Sequence, residues 1–129
     1  MSKEEHIDYG TIRDYYDRVY HQCAGAAAKV PGHLRRLARR LESLQDKRLL
    51  DVGCGTGAWL RAAVDRGAIT AGVDISSVAL DVCRRALPQT ELHCGPAEKL
   101  PFADGQFDFV SCLGSVEQFF WIPRRRCGR

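Results

Sequence analysis

The sequence lacks most of what would take it out of the ordinary globular class. No apolar stretch approaches the ~20 residues of a transmembrane helix, so no membrane partner is expected. The start, Met1-Ser2-Lys3-Glu4-Glu5, has no apolar core of the kind a secretory signal needs, which makes the cytoplasm the expected location. The cysteines Cys23, Cys54, Cys83, Cys94, Cys112 and Cys127 include no Cys-x-x-Cys pair, so no metal site is expected. Their scatter suits reduced, buried thiols better than a disulfide framework. There is no internal repeat and no low-complexity tract. The net charge is only +3. Arg35, Arg36, Arg39 and Arg40 interleave with Leu34, Leu37, Leu41 and Leu44 at helical spacing, which reads as a leucine face turned inward and a solvated arginine face. Without aromatic interleaving or a recognisable binding motif, no nucleic-acid partner is expected.

What is present fits one domain: 129 residues, 45% hydrophobic and 27% charged. The informative stretch is Leu49-Leu50-Asp51-Val52-Gly53-Cys54-Gly55-Thr56-Gly57. A short apolar run with an acid near its end reads as a buried strand. Gly53, Gly55 and Gly57 then describe a tight turn that lets backbone approach a ligand closely. Ala58 to Val64 reads as a helix. Strand, glycine loop and helix together form a cradle for a nucleotide-like cofactor.

The spacing is not that of a dinucleotide fingerprint, which wants its third glycine three positions after the second. Asp-x-Gly-x-Gly-x-Gly instead resembles the first motif of class I S-adenosylmethionine-dependent methyltransferases of the type 11-like group. The resemblance covers about Lys47 to Phe119. It implies an α/β fold: a doubly wound, mostly parallel, Rossmann-like sheet with N-terminal helices. The implied cofactor is S-adenosylmethionine and the implied partner a small-molecule methyl acceptor. Asp74, closing the second apolar run Ala68–Asp74, is implied to bind the cofactor ribose; a carboxylate can accept both hydrogen bonds of a vicinal diol. The alternative for Asp74 is to cap the helix that starts near Ser76 or Ser77. Ile75 is implied to lie on the adenine face. Asp51, Gly53, Cys54, Gly55 and Gly57 complete the cofactor loop, with Ala97 and Glu98 on the adenine side. Leu113 and Gly114 lie at the methionine end.

Downstream, a helix is expected over Ser77–Ala86, a strand over Glu91–Cys94 and a fourth strand over Gln106–Cys112. Many family members carry an aspartate where this chain has Pro96, so weaker cofactor affinity is expected. Gly114 and Ser115 are candidates to line the substrate mouth, and Glu117 to orient substrate or simply to sit in the first turn of a helix. No general base is assigned: His93 is expected to be structural, and nothing selects among His6, His21 and His33. Before the glycine loop, helices are expected over Thr11–Gln22 and after Pro31-Gly32. Their tyrosines Tyr15, Tyr16 and Tyr20 read first as packing residues.

The organisation expected is a helical cap over 1–46, an incomplete methyltransferase core over 47–120 with about the first four strands, and a basic tail over 121–129. The tail has neither helical nor strand periodicity. With GC-rich codons, reading it from the last base of the Phe120 codon gives Leu-Asp-Pro-Glu-Ala-Ala-Leu-Arg-Glu, which resembles the family's next helix. The chain is therefore expected to be a C-terminally truncated, frameshifted methyltransferase with weak or no activity and a sheet edge open to self-association. Two rivals stand beside this: a nicotinamide-dependent oxidoreductase, and a non-catalytic cofactor-binding or regulatory module.

Overall fold

The structure is a computed structural model, and it describes residues 8–23 and 30–113. The elements in chain order are α1 (Tyr9–Cys23), α2 (Gly32–Arg40), β1 (Arg48–Val52), α3 (Ala58–Val64), β2 (Ile69–Asp74), α4 (Ser77–Ala86), β3 (Glu91–Cys94) and β4 (Phe109–Ser111). The strands form one parallel sheet in the order β3-β2-β1-β4. The chain therefore steps outward from β1 through β2 to β3, then returns to lay β4 on the other side of β1. Strand order reverses between β1 and β4, and in open α/β sheets the crevice at that reversal is where ligands bind.

Handedness fixes the layers. The crossovers β1–α3–β2 and β2–α4–β3 step the same way, and right-handed connections then put α3 and α4 on one face. Residue alternation agrees. Leu49 and Phe109 join Trp59, Leu60, Ala62, Ala63, Leu80 and Cys83 in the larger core. Leu50, Val52, Ala71 and Val73 point to the opposite face, where Phe102 and Phe107 of the β3–β4 connection pack against them. Those two rings meet edge to face at 4.9 Å.

Several expected boundaries move. β4 is three residues long, not the seven from Gln106 to Cys112. Phe107 is drawn onto the sheet face, and Asp108 uses its carboxylate to accept the Arg48 N–H at 2.9 Å, so the pair closes the start of β1 and β4. α2 stops at Arg40, where Leu41 turns extended. Of the expected leucine face, Leu44 is buried but lies beyond the helix, while Leu34, Leu37 and Leu41 are only partly covered. α2 packs on α3, and α1 packs on α4. Among the described residues no helix is long and apolar enough to cross a membrane. Gly114, Ser115, Glu117, His6 and the 121–129 tail lie outside the described residues.

Candidate functional site

The glycine loop leaves the carboxyl end of β1 and is hooked back onto β2. The N–H groups of Gly53 and Cys54 both donate to the Val73 carbonyl, at 2.7 and 3.1 Å. Gly53, Gly55 and Gly57 all take positive φ (74°, 56° and 92°), a conformation side chains disfavour. Gly57 has a further reason to be glycine. A Cβ there would stand 2.5 Å from Cys83 Sγ and 3.3 Å from a Leu87 methyl, so its place is set by the seating of the loop on α4. Cys54 turns its thiol into the same core, which commits that side chain to packing and leaves only its backbone to the loop. Its hydrogen bond to Cys83, burial, and the nearby carboxylates all hold the Cys54 thiol well above its usual range, so it stays protonated.

Asp74 closes β2, and its carboxylate reaches both the glycine loop and Ser76, which rather than Asp74 is the N-cap of α4. One carboxylate oxygen accepts the Gly55 N–H at 2.8 Å, and the other accepts the Ser76 N–H at 2.9 Å. It thus ties the glycine loop to the start of α4, and each oxygen retains a lone pair for a further donor. Ser76 is the N-cap of α4, accepting the Ala79 N–H at 3.2 Å. Its hydroxyl donates to Asp17 of α1. Tyr9, at the other end of α1, hydrogen-bonds Glu98, which pushes the tyrosine hydroxyl above its usual range. α1 is therefore anchored to both segments that flank the carboxyl ends of β2 and β3. Ile75 is half-buried beside Asp74, and Ala97 and Glu98 are exposed in the turn after β3.

Among the described residues Asp51 is the most perturbed carboxyl group. Only 2% of it is exposed, on the α3 face of β1. Ser111, its register partner on β4, donates to it at 2.9 Å. The Trp59 indole N–H donates in turn to Ser111 Oγ at 2.9 Å. Burial raises the Asp51 pKa to about 7; the neighbouring Asp74 charge adds to this, while the bonds from Ser111 and the Leu113 N–H work against it. Leu113, proposed from the sequence for the methionine end, thus meets Asp51 through its backbone. Trp59 and Ser111 are residues that sequence reading passed over. The only signal was a serine two positions after Phe109, a polar side chain on an apolar strand face.

His93 stays apart from this cluster. It sits on β3 with its ring on Phe102 at 5.2 Å and a 2.8 Å bond to Glu91. His33 is exposed on α2. Among the described residues no group of His, Cys, Asp and Glu could hold a metal ion. A cavity of about 350 Å³ opens at the opposite, amino end of β2, lined in part by Arg61, Val64, Ile69 and Leu87. Its central polar pair, Thr70 and Thr90, satisfy each other at 2.7 Å. It lies away from the glycine loop and offers no unpaired carboxylate.

The profile of the methyltransferase domain family matches residues 50–126. The demethylmenaquinone methyltransferase of Chlorobaculum parvum is 37% identical over 87 residues, 66% of this chain and 36% of that protein. The ubiquinone biosynthesis O-methyltransferase of Coxiella burnetii is 30% identical over 123 residues, 88% of this chain and 53% of that protein. The chain therefore spans between about a third and about half of these relatives. Among solved structures, the YcgJ protein of Bacillus superposes with a TM-score of 0.58 at 27% identity, over 64% of this chain and 38% of that one. Magnesium protoporphyrin IX methyltransferase of Synechocystis superposes with a TM-score of 0.65 over 82% of this chain and 58% of that one; at 19% identity this likeness speaks for the fold alone.

Proposed function

The chain belongs to the class I S-adenosylmethionine-dependent methyltransferase family, and from that premise we propose that its β1–α3 glycine loop, Asp51 and Asp74 hold S-adenosylmethionine for methyl transfer to a small-molecule acceptor. The observation that carries the reading is the pair of buried carboxylates at the carboxyl ends of β1 and β2, beside the glycine loop. Asp51 and Asp74 are 2% and 7% exposed, and neither belongs to any ion pair among the described residues. Buried carboxylates without a cation call for a ligand that supplies charge or hydroxyl donors. S-adenosylmethionine supplies both, as an ammonium, a sulfonium and a ribose diol. Asp74, held by two backbone donors, is suited to accept the diol. Asp51 is suited to face the cationic end. Ile75 lies beside Asp74 for the adenine ring, and Ala97 and Glu98 offer the adenine edge a backbone amide and a carboxylate.

When bound, the cofactor supplies an electrophilic methyl group on sulfur. The protein's share of such a transfer is to fix the acceptor in line with that methyl and to exclude water. A quinone-type acceptor is the first to test, because one relative is named a demethylmenaquinone methyltransferase and another a ubiquinone biosynthesis O-methyltransferase.

Thermal denaturation with added ligand separates this reading from a nicotinamide enzyme. At one hundred times its dissociation constant, S-adenosylhomocysteine is expected to raise Tm by about 10 °C, and NAD at the same concentration by nothing measurable. A shift with NAD alone would overturn the proposal.

A further inference from the structure

Asp51 sits in surroundings that treat its two protonation states very differently. On β2 it meets Asp74, a like charge; in the loop and on α4 it meets the thiols of Cys54 and Cys83. On β4 it meets the Ser111 hydroxyl and, just past the strand, the Leu113 N–H, and behind Ser111 stands the neutral indole of Trp59. No lysine, arginine or histidine among the described residues pairs with it. Burial first, and the nearby Asp74 charge after it, favour the protonated form of Asp51 in the absence of a cation.

Ser111 decides which way that carboxyl group points. Its hydroxyl accepts from Trp59 at 2.9 Å and lies 2.9 Å from Asp51 Oδ1 and 3.3 Å from the Leu50 carbonyl. With the indole N–H filling the acceptor side of Ser111 Oγ, its one proton is left for Asp51 or Leu50. The donor end is thereby aimed from α3 through β4 to β1.

We propose that Asp51 releases a proton when the cationic cofactor binds, and that Ser111, fixed by Trp59, is the positioning residue that sets the pH at which this happens. The inference rests on the cofactor reading given above. The proton goes from the Asp51 carboxyl group to solvent as the ligand's ammonium or sulfonium takes over its neutralising role, so charge balances with no other reactant.

The test is calorimetric titration of the 129-residue chain with S-adenosylmethionine, without any acceptor, in buffers of different ionisation enthalpy. Release of close to one proton per ligand is expected below about pH 7, falling to none by about pH 8. Asp51→Asn is expected to bind with no release. Ser111→Ala removes a bond that favours the ionised form, so the release midpoint should move to higher pH; Ser111→Thr, which keeps the hydroxyl, should move it back. A role confined to packing would change affinity or Tm without moving that midpoint. Binding heat that is the same in every buffer overturns the inference and leaves the cofactor reading standing. Absence of binding heat at any pH overturns both. Should the Ser111 variants fail to fold, carbon-13 NMR titration of the Asp51 carboxyl in the unliganded wild type decides the matter: a midpoint below about pH 5 contradicts the inference.

Discussion

At the scale of single residues, the glycines separate two kinds of requirement. Gly57 and Gly105 both hold positive φ, at 92° and 71°. A Cβ at Gly105 would meet open space, whereas at Gly57 it would collide with Cys83. Gly105→Ala is expected to cost about 1 kcal/mol, the backbone penalty alone. Gly57→Ala should cost on the order of 3 kcal/mol, because overpacking adds to that penalty. Urea denaturation of the two variants checks the difference; equal losses would mean that α4 gives way freely. Asp51 leaves a second signature. Its pKa rises from 3.8 to about 7 on folding, so between those values the unfolded chain has lost a proton that the folded chain keeps. Stability from this group is complete below about pH 4 and falls by roughly 1.4 kcal/mol per pH unit up to about pH 7. Asp51→Asn should flatten that stretch of the profile and raise Tm at pH 8 relative to wild type. A wild-type Tm that stays level across this range, once other groups are allowed for, would remove the burial argument.

At the scale of elements, α4 depends on the residue that caps it. Ser76 is fully buried, caps the helix through the Ala79 N–H and donates to Asp17 of α1. Ser76→Ala should cost about 1–2 kcal/mol and speed hydrogen exchange in α1. Asp17→Ala should speed α1 exchange alone; equal exchange in both helices would show that α1 is not held there. The elements themselves were largely readable. The β1 run, the glycine loop, α3, β2 and α4 fall where apolar periodicity and turn residues put them, because their signals are local. β4 was read too long, since the alternation of Phe107 and Phe109 looks like one strand but the two rings serve opposite faces of the sheet. The Trp59–Ser111 bond was not readable at all. It joins residues 52 positions apart, and only the β3-β2-β1-β4 order brings β4 beside β1 and under α3. Likewise Cys54 and Gly57 belong to the loop by sequence, yet their surroundings are set by α4.

At the scale of the whole molecule, two places compete as ligand sites: the carboxyl edge of the sheet with its glycine loop, and the cavity at the amino end of β2. The chemistry favours the first, where two buried carboxylates stand without a cation; in the second the charged lining is the exposed, mutually paired Arg61 and Asp65, and the threonine pair is satisfied. The right-handed crossovers that place α3 and α4 on one face also bring the glycine loop, Asp74 and the start of α4 to a single edge. The measurement that tests this most directly is a proton–nitrogen NMR titration of the chain with S-adenosylhomocysteine. The amides of Gly53, Gly55, Asp74 and Ile75 are expected to shift in proportion to occupancy, and those of Arg61, Thr70 and Thr90 to stay in place. Shifts confined to Arg61, Thr70 and Thr90, with a silent glycine loop, would contradict the account.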